Sequence, residues 1–224
     1  MKRRLTDVLT VTLLVAVCTS AMSVSAKADT LLTSSASITS PTVIDFTAFG
    51  PGYTLGPGPV ALGSGVTWSS NLNNSAIGNG PYLLGTNGQW DLNIHDVGLN
   101  GGTGTMTFSL STPVSAIGGF MNYSPGVGPD VVIDALDASN TSLGSFDISV
   151  LAPIATLGDT NQGAFRGISV NSPQIASFTV SNQYAILTDL TFAPSPVPEP
   201  SSLLLFGTGL LSLMGMTLLK KRLA

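Results

Sequence analysis

Residues 105–110 read Thr-Met-Thr-Phe-Ser-Leu, so apolar side chains occupy every second position. Successive side chains of a β-strand point to opposite faces, so this alternation predicts a strand with one buried and one exposed face. Trp90–His95 and Ala176–Val180 show the same period of two. These stretches predict strands, and no long stretch between them has the period of an amphipathic helix.

Seven further segments, rich in Thr, Val, Phe and Ile, are predicted strands: Thr42–Phe49, Val66–Ser69, Val114–Tyr123, Asp130–Asp137, Leu143–Val150, Ala164–Val170 and Tyr184–Phe192. Clusters of Gly, Pro, Asn and Asp separate them. About ten strands with frequent turns predict an all-β fold, an antiparallel β-sandwich. A jelly-roll-like arrangement is the first choice and an immunoglobulin-like one the second. A β-helix is disfavoured because no fixed repeat is present. Residues 50–65 and 69–88 are predicted to be long loops.

Charge is distributed unevenly along the chain. Between Asp29 and Ala193 there are ten aspartates, no glutamate and one basic residue, Arg166, which gives 1 − 10 = −9 for this segment at neutral pH. Such a segment would be repelled by phosphate backbones, so the composition excludes nucleic acid as a partner.

The N-terminus has the three parts of a secretory signal peptide. Lys2, Arg3 and Arg4 precede a short apolar run, which is followed by small residues up to Ala26-Lys27-Ala28. We expect residues 1–28 to be removed by cleavage after Ala28, with Ala26 as the alternative. The only cysteine, Cys18, lies in this segment, so the mature chain would contain no disulfide.

The C-terminus combines a spacer, an apolar span and a basic tail. Residues 194–200 contain four prolines and predict an extended spacer. Residues 201–219 carry no charge and form about 28 Å of helix, which is enough to cross a bilayer. Lys220, Lys221 and Arg222, within the tail 220–224, predict that this end stays in the cytoplasm and that residues 29–193 lie outside. A permanent membrane anchor is the plain alternative.

Pro198-Glu199-Pro200, followed by an apolar span and a basic end, resembles the PEP-CTERM sorting signal of Gram-negative bacteria. The resemblance implies that exosortase, a membrane transpeptidase, recognises these three residues. It also implies that the inner membrane holds the chain only transiently, and that the protein reaches the cell surface or the exopolysaccharide matrix. Four segments are also similar to β-sandwich bodies that precede such signals: Pro113–Phe120, Val131–Asp137, Phe165–Ile168 and Ile186–Phe192.

Residues 29–193 contain little that indicates catalysis. They have one histidine, His95, no cysteine and no Gly-x-Ser-x-Gly elbow, so neither an activated nucleophile nor a zinc site is predicted. His95 is expected on the exposed, polar face of its strand. A pair of aspartates for glycoside hydrolysis is a minor hypothesis.

Two kinds of binding site are candidates in this segment. Asp130, Asp134 and Asp137 are the candidate ligands of a calcium ion, although no EF-hand loop is present. Trp68, Trp90 and Tyr123 are candidate platforms on which a sugar could stack. The leading hypothesis is an exported, non-enzymatic structural or adhesive protein without a cofactor. The second hypothesis is a carbohydrate-binding module, either calcium-dependent or calcium-independent, and the third is a hydrolase.

The signal-peptide interpretation predicts the N-terminus of the mature protein. Mass spectrometry of the exported protein should show a chain that begins at Asp29, or at Lys27 if cleavage follows Ala26. A surface protein that keeps Lys2, Arg3 and Arg4 would contradict the interpretation and favour an N-terminal membrane anchor.

Overall fold

The computed structural model describes residues 29–90, 93–160 and 163–193. Strands dominate these residues, with one four-residue α-helix, α1 (Ile148–Leu151), and 3-10 turns at Ser35–Ser37 and Gly85–Asn87. The strands are β1 (Thr30–Leu32), β2 (Thr42–Ile44), β3 (Gly52–Leu55), β4 (Val60–Gly63), β5 (Val66–Ser70), β6 (Ala76–Asn79), β7 (Tyr82–Leu83), β8 (Gln89–Trp90), β9 (Asp96–Gly98), β10 (Thr105–Val114), β11 (Ala116–Asn122), β12 (Val132–Leu136), β13 (Ser142–Asp147), β14 (Ala164–Ser169), β15 (Ile175–Ser181) and β16 (Ile186–Phe192).

These strands form two large sheets and a small hairpin. The first sheet has the order β1-β14-β11-β16-β9-β6-β3, with β2 also paired to β16. The second sheet has the order β13-β12-β15-β10-β5-β4, and β7 pairs with β8 outside both. Neighbouring strands in both sheets run antiparallel. The prediction of an all-β fold with antiparallel sheets is confirmed.

A row of large side chains crosses the second sheet and faces the first. Trp68 on β5 is paired with Phe108 on β10, which is paired with Phe178 on β15. None of these three side chains is more than 1% exposed, and the rings of Phe108 and Phe178 lie 6.3 Å apart. They belong to one apolar cluster with Ile117 and Leu187 of the first sheet. The two sheets therefore share a single core, and the alternation in β10 supplies its centre.

Glycine allows two strands of the first sheet to approach closely. Gly118 on β11 is paired with Gly167 on β14. A Cβ atom on Gly167 would lie 2.5 Å from the carbonyl oxygen of Ile117, which is closer than real Cβ contacts come. A side chain at this position would therefore push the two backbones apart.

Strand β16 has different partners on one edge along its length. Ile186 and Leu187 pair with β9, whereas Leu190–Phe192 pair with β2. Asp189 lies at the change of partner and has φ = +48°, a left-handed conformation that non-glycine residues rarely adopt. The pairing of β16 with β11 also shifts register here, which makes this a β-bulge.

Several local predictions are wrong. Trp90–His95 is not one strand, because β8 ends at Trp90 and residues 93–94 form a turn and bend before β9. Residues 50–65 and 69–88 are not simply loops, because they contain β3 and β4, and β6 and β7. Glycine and proline mark the ends of these short strands. The predicted strand Thr42–Phe49 ends at Ile44, and Leu143–Val150 ends at Asp147. The Asp147 side chain accepts hydrogen bonds from the backbone N–H groups of Ser149 and Val150 in α1.

The two ends of the chain bear on the membrane predictions. Within the three described ranges, no helix is long and apolar enough to cross a membrane. The predicted signal peptide, the Pro-rich spacer, the span 201–219 and the basic tail lie outside the described residues.

The shared core predicts a large effect of truncating Phe178. Phe178→Ala should lower the free energy of unfolding by about 3–5 kcal/mol, because it leaves a cavity between the sheets. Urea unfolding followed by circular dichroism measures the change. Val150→Ala is the control, because this side chain is 69% exposed and its truncation should cost under about 0.5 kcal/mol. Equal effects of the two substitutions would contradict the assignment of the core.

Candidate functional site

The three aromatic residues predicted to stack on a sugar are buried. Trp68 is 1% exposed, Trp90 is 2% exposed and Tyr123 is 3% exposed. Trp68 belongs to the core between the sheets, and Trp90 lies in a smaller apolar cluster beneath the β7–β8 hairpin. The Tyr123 hydroxyl oxygen accepts a hydrogen bond from the backbone N–H of Ile154. The prediction that these rings are ligand platforms is therefore wrong, because none offers an open face.

The three aspartates predicted to bind calcium do not converge. Asp130 precedes β12 and Asp137 follows it, so about 23 Å of extended chain separates them. The Asp137 carboxylate accepts hydrogen bonds from its own hairpin turn, and the Asp134 carboxylate accepts one from the Ser142 hydroxyl. No group of three metal-binding side chains occurs within the described ranges. The predicted calcium site is therefore wrong for this set of residues.

His95 does not lie on the exposed face of a strand, as the alternating pattern predicts. It directly precedes β9 and is half-buried. Its backbone carbonyl oxygen accepts a hydrogen bond of 2.6 Å from the Thr188 hydroxyl. The residue therefore lies where the β9 edge joins β16.

A different group of aromatic residues lines an open cleft on the outer face of the first sheet. We call it the tyrosine cleft, and its volume is about 320 Å³. Its lining residues are Tyr53, Leu55, Ala76, Pro81, Tyr82, Leu83, Asn100 and Tyr184. None of them is charged. Leu55 and Leu83 at the rim are 63% and 71% exposed, which is high for large apolar side chains.

Strand alternation and two glycines position the tyrosine rings. Val97 faces the core, so Asp96 and Gly98 on either side of it face outward. Tyr53, Gly78 and Asp96 are paired in one row across β3, β6 and β9. Because Gly78 has no side chain, the Tyr53 ring can reach across β6 to Asp96.

Gly98 makes room for the second tyrosine. A Cβ atom on Gly98 would lie 2.9 Å from Cε2 of Tyr82, so a side chain at this position would push that ring away from the sheet. Tyr82 is 7% exposed and meets Tyr53 edge to face, with ring centroids 6.2 Å apart. This contact fixes the orientation of the Tyr53 ring in the wall of the cleft.

Tyr184 is held at the cleft by an unusual turn between β15 and β16. Asn182, Gln183 and Tyr184 are consecutive and have φ values of +74°, +48° and +53°. A left-handed conformation costs a non-glycine residue about 1 kcal/mol or more, so this turn is strained. The three backbone N–H groups donate to the carbonyls of Gly104, Gly102 and Gly101, respectively, and these bonds hold the turn.

A buried carboxyl group lies beneath the cleft. Asp96 has no solvent exposure, and burial raises the pKa of its carboxyl group to about 8, although a hydrogen bond from Tyr53 opposes the shift. Its Oδ1 atom has no hydrogen-bond partner among the described residues. Tyr53 Oη lies 2.7 Å from the carbonyl oxygen of Gly80 and 3.2 Å from Asp96 Oδ2. The single hydroxyl hydrogen of Tyr53 cannot bond well to both of these oxygen atoms. A protonated Asp96 donates to the Tyr53 hydroxyl oxygen while Tyr53 donates to the Gly80 carbonyl, so that both contacts are hydrogen bonds.

A second, wider cleft of about 580 Å³ lies elsewhere on the first sheet, where Phe120, Asp45 and Asp189 are among its lining residues. Phe120 is 38% exposed and packs edge to face on Phe165. Burial, and then the Asp45 charge, raises the pKa of the Asp189 carboxyl group. Hydrogen bonds from Thr47 hold the pKa of Asp45 below its ordinary value. The two clefts thus differ in charge, since only this one contains carboxylates.

Sequence reasoning did not bring the residues of the tyrosine cleft together as one site, for an identifiable reason. Tyr53, Tyr82 and Tyr184 come from β3, β7 and the β15–β16 turn, which are far apart in the chain. Two of those segments fall in stretches that were predicted to be loops. The only local signal in the sequence is the residue type, because tyrosine is rare in this chain, which has just four.

The buried Asp96 predicts a pH dependence of stability. The unfolded carboxyl group ionises near its ordinary pKa of 3.8, whereas the folded one stays protonated up to about pH 8. The folded state therefore holds the extra proton between these values, and the free energy of unfolding should fall as pH rises from about 4 to about 8. Asp96→Asn should reduce this slope and stabilise the fold at pH 8 by roughly 5 kcal/mol, because each of the about four units of pKa difference corresponds to about 1.4 kcal/mol.

Urea unfolding at pH 5 and pH 8 measures this effect, with the exposed Asp130→Asn as a control that should keep the wild-type slope. An unchanged slope in Asp96→Asn would show that the folded Asp96 is already ionised at neutral pH.

Comparisons with solved structures and curated proteins give little about the body of the chain. No curated protein matches the sequence. A family two carbohydrate esterase from Cellvibrio japonicus is similar at 12% identity over 59% of this chain, with a TM-score of 0.20. The match spans 36% of the length of that esterase chain. A likeness of this size carries no argument about fold or function.

The comparison with protein families concerns the C-terminus. Residues 196–222 match the model of the PEP-CTERM protein-sorting motif. The match includes Pro198-Glu199-Pro200, the apolar span and the three basic residues, which are the parts that the sequence analysis identified. The chain therefore carries a PEP-CTERM sorting motif, which implies an exported protein that is processed by exosortase.

Proposed function

We propose that this protein is delivered by exosortase to the cell surface or the exopolysaccharide matrix, where its body, residues 29–193, has a structural or adhesive role. The observation that carries the proposal is the sorting motif at residues 196–222. The body is proposed to be a non-catalytic, jelly-roll-like β-sandwich that acts without a cofactor. Two antiparallel sheets with one shared core support this architecture.

Each end of the chain has a proposed role in delivery. The signal peptide, residues 1–28, directs the chain to the export machinery. The span 201–219 then holds it in the inner membrane, and Lys220, Lys221 and Arg222 keep the tail in the cytoplasm. Exosortase recognises Pro198-Glu199-Pro200 on the outer side and cleaves there, so the membrane contact is temporary.

The body has features that suit a structural protein outside the cell. Its net charge of −9 favours solubility and repels other copies of the chain. The sole cation, Arg166, is 8% exposed and donates hydrogen bonds to the carbonyls of Ala152, Pro153 and Phe165. Arg166 therefore ties the segment after α1 to β14.

Carbohydrate binding is the second candidate function, and the tyrosine cleft is the observation that favours it. Half-exposed Tyr53 and Tyr184 provide aromatic surface, and Asn100 provides an exposed amide. Glycoside hydrolysis gains no such support, because the lining of this cleft has no carboxylate to act as acid or nucleophile.

The sorting proposal predicts a specific change at the C-terminus. Mass spectrometry of the surface protein should show that the span and the basic tail have been removed. A Glu199→Ala variant should keep an intact C-terminus and remain in the membrane fraction, as should the wild-type protein in cells that lack exosortase. Pro194→Ala, in the spacer but outside the matched motif, is the control and should be processed normally.

Two results would contradict the proposal. One is an intact C-terminus on the wild-type surface protein, which would favour a permanent anchor. The other is normal cleavage in cells without exosortase, which would assign the processing to another protease.

A further inference from the structure

We propose that the tyrosine cleft binds one ring of a neutral sugar, which stacks on Tyr53 and Tyr184 and accepts or donates hydrogen bonds at Asn100. The inference deepens the second candidate function and rests on it. It assigns the ligand class and the contact residues of a site that the sorting motif does not involve.

The lining of the cleft indicates a ligand that is uncharged and amphipathic. None of the lining side chains carries a charge, so an anionic or cationic group would lose its hydration without gaining a partner. A pyranose ring has an apolar face of C–H groups and a polar edge of hydroxyls. Aromatic rings match the first, and the amide of Asn100 matches the second. The volume of about 320 Å³ is at the small end of the range for ligand pockets, which fits a single ring better than a long chain.

The tyrosines are held in place before any ligand arrives. Tyr53 makes hydrogen bonds through its hydroxyl group to Gly80 and Asp96, and its ring packs on Tyr82. Its polar end is therefore occupied, and the half-exposed ring is what remains for a ligand. A ligand that stacks on a fixed ring pays little for ordering it, which favours affinity.

The strained turn at residues 182–184 is a second, independent observation. Three consecutive left-handed residues cost free energy that regular backbone would avoid, and such strain persists where the surrounding structure enforces it. Here the carbonyls of Gly101, Gly102 and Gly104 enforce it. The turn thus places Tyr184 in the lining of the cleft, which Tyr53 also lines.

The acidic cleft at Phe120 is the natural competitor for a sugar. It is wider and contains Asp45 and Asp189, whose carboxylates could accept hydrogen bonds from hydroxyl groups. One aromatic ring, Phe120, lines it, whereas three tyrosine rings line the tyrosine cleft. Phe120→Ala is therefore a matched control that removes an exposed aromatic side chain from the same sheet.

The experiment uses the full chain purified in detergent and a panel of neutral and uronic-acid oligosaccharides, followed by calorimetric titration of those that bind. We expect a neutral oligosaccharide to bind. Tyr184→Ala and Asn100→Ala should each weaken binding tenfold or more, whereas Tyr184→Phe and Phe120→Ala should stay within about threefold of wild type. Leu83→Glu at the rim of the cleft should also weaken binding. Because Leu83 is 71% exposed, this substitution should not destabilise the fold.

Several results would overturn the inference. These are binding to no neutral oligosaccharide, wild-type affinity in both Tyr184→Ala and Leu83→Glu, or a loss of binding in Phe120→Ala alone. Binding of apolar peptides or lipid vesicles in place of sugars would overturn it as well. Mass spectrometry of the C-terminus of the surface protein tests the sorting proposal separately. A failure of sugar binding can therefore be distinguished from a failure of sorting.

Discussion

The row of Trp68, Phe108 and Phe178 against the first sheet is the interaction on which the rest of the body depends. The chain offers few other sources of stability, since residues 29–193 contain no cysteine and a single cation. That cation, Arg166, contacts backbone carbonyls. Burial of apolar surface between the two sheets must therefore supply most of the free energy that offsets chain entropy.

Glycine has a second role in this fold, which is to let side chains cross the sheet. Gly78 lies between Tyr53 and Asp96, and Gly98 lies under the Tyr82 ring. Each absence of a side chain creates room for an aromatic ring to lie on the outer face. The small apolar cluster beneath the β7–β8 hairpin, the buried Asp96 and the tyrosine cleft all follow from these positions. The cost is a buried carboxyl group whose Oδ1 atom has no hydrogen-bond partner among the described residues.

The central strands could be predicted from the sequence, and the outer face of the first sheet could not. Alternation in Thr105–Leu110 and Ala176–Val180 identified β10 and β15, because each of those strands has one face in the core. Strands β3, β4 and β6 were missed because they are four residues long and lie among glycines and prolines, so no period can be established. Trp90–His95 misled for the opposite reason: its alternation arises where a two-residue strand meets a turn.

The candidate site was the least predictable part. Exposed tryptophans were expected as sugar platforms, but Trp68 and Trp90 are large apolar side chains that the small body needs for burial. Asp130, Asp134 and Asp137 are close in sequence and distant in space because extended chain separates them. The sorting signal was recognised because its parts are contiguous. A linear motif that another protein recognises can be identified from the sequence alone. A cleft whose residues come from β3, β7 and the β15–β16 turn can be identified only once the fold is known.

The sorting segments and the body are thus separate parts of one chain, and we expect residues 29–193 to fold on their shared core without either end. The direct test is to produce these residues alone and record a ¹H–¹⁵N correlation spectrum together with thermal unfolding. A self-sufficient core predicts dispersed amide signals, a β-type circular dichroism spectrum and one cooperative transition. Poorly dispersed signals with gradual, non-cooperative melting would contradict it, because they would show that the two sheets do not form a self-sufficient core.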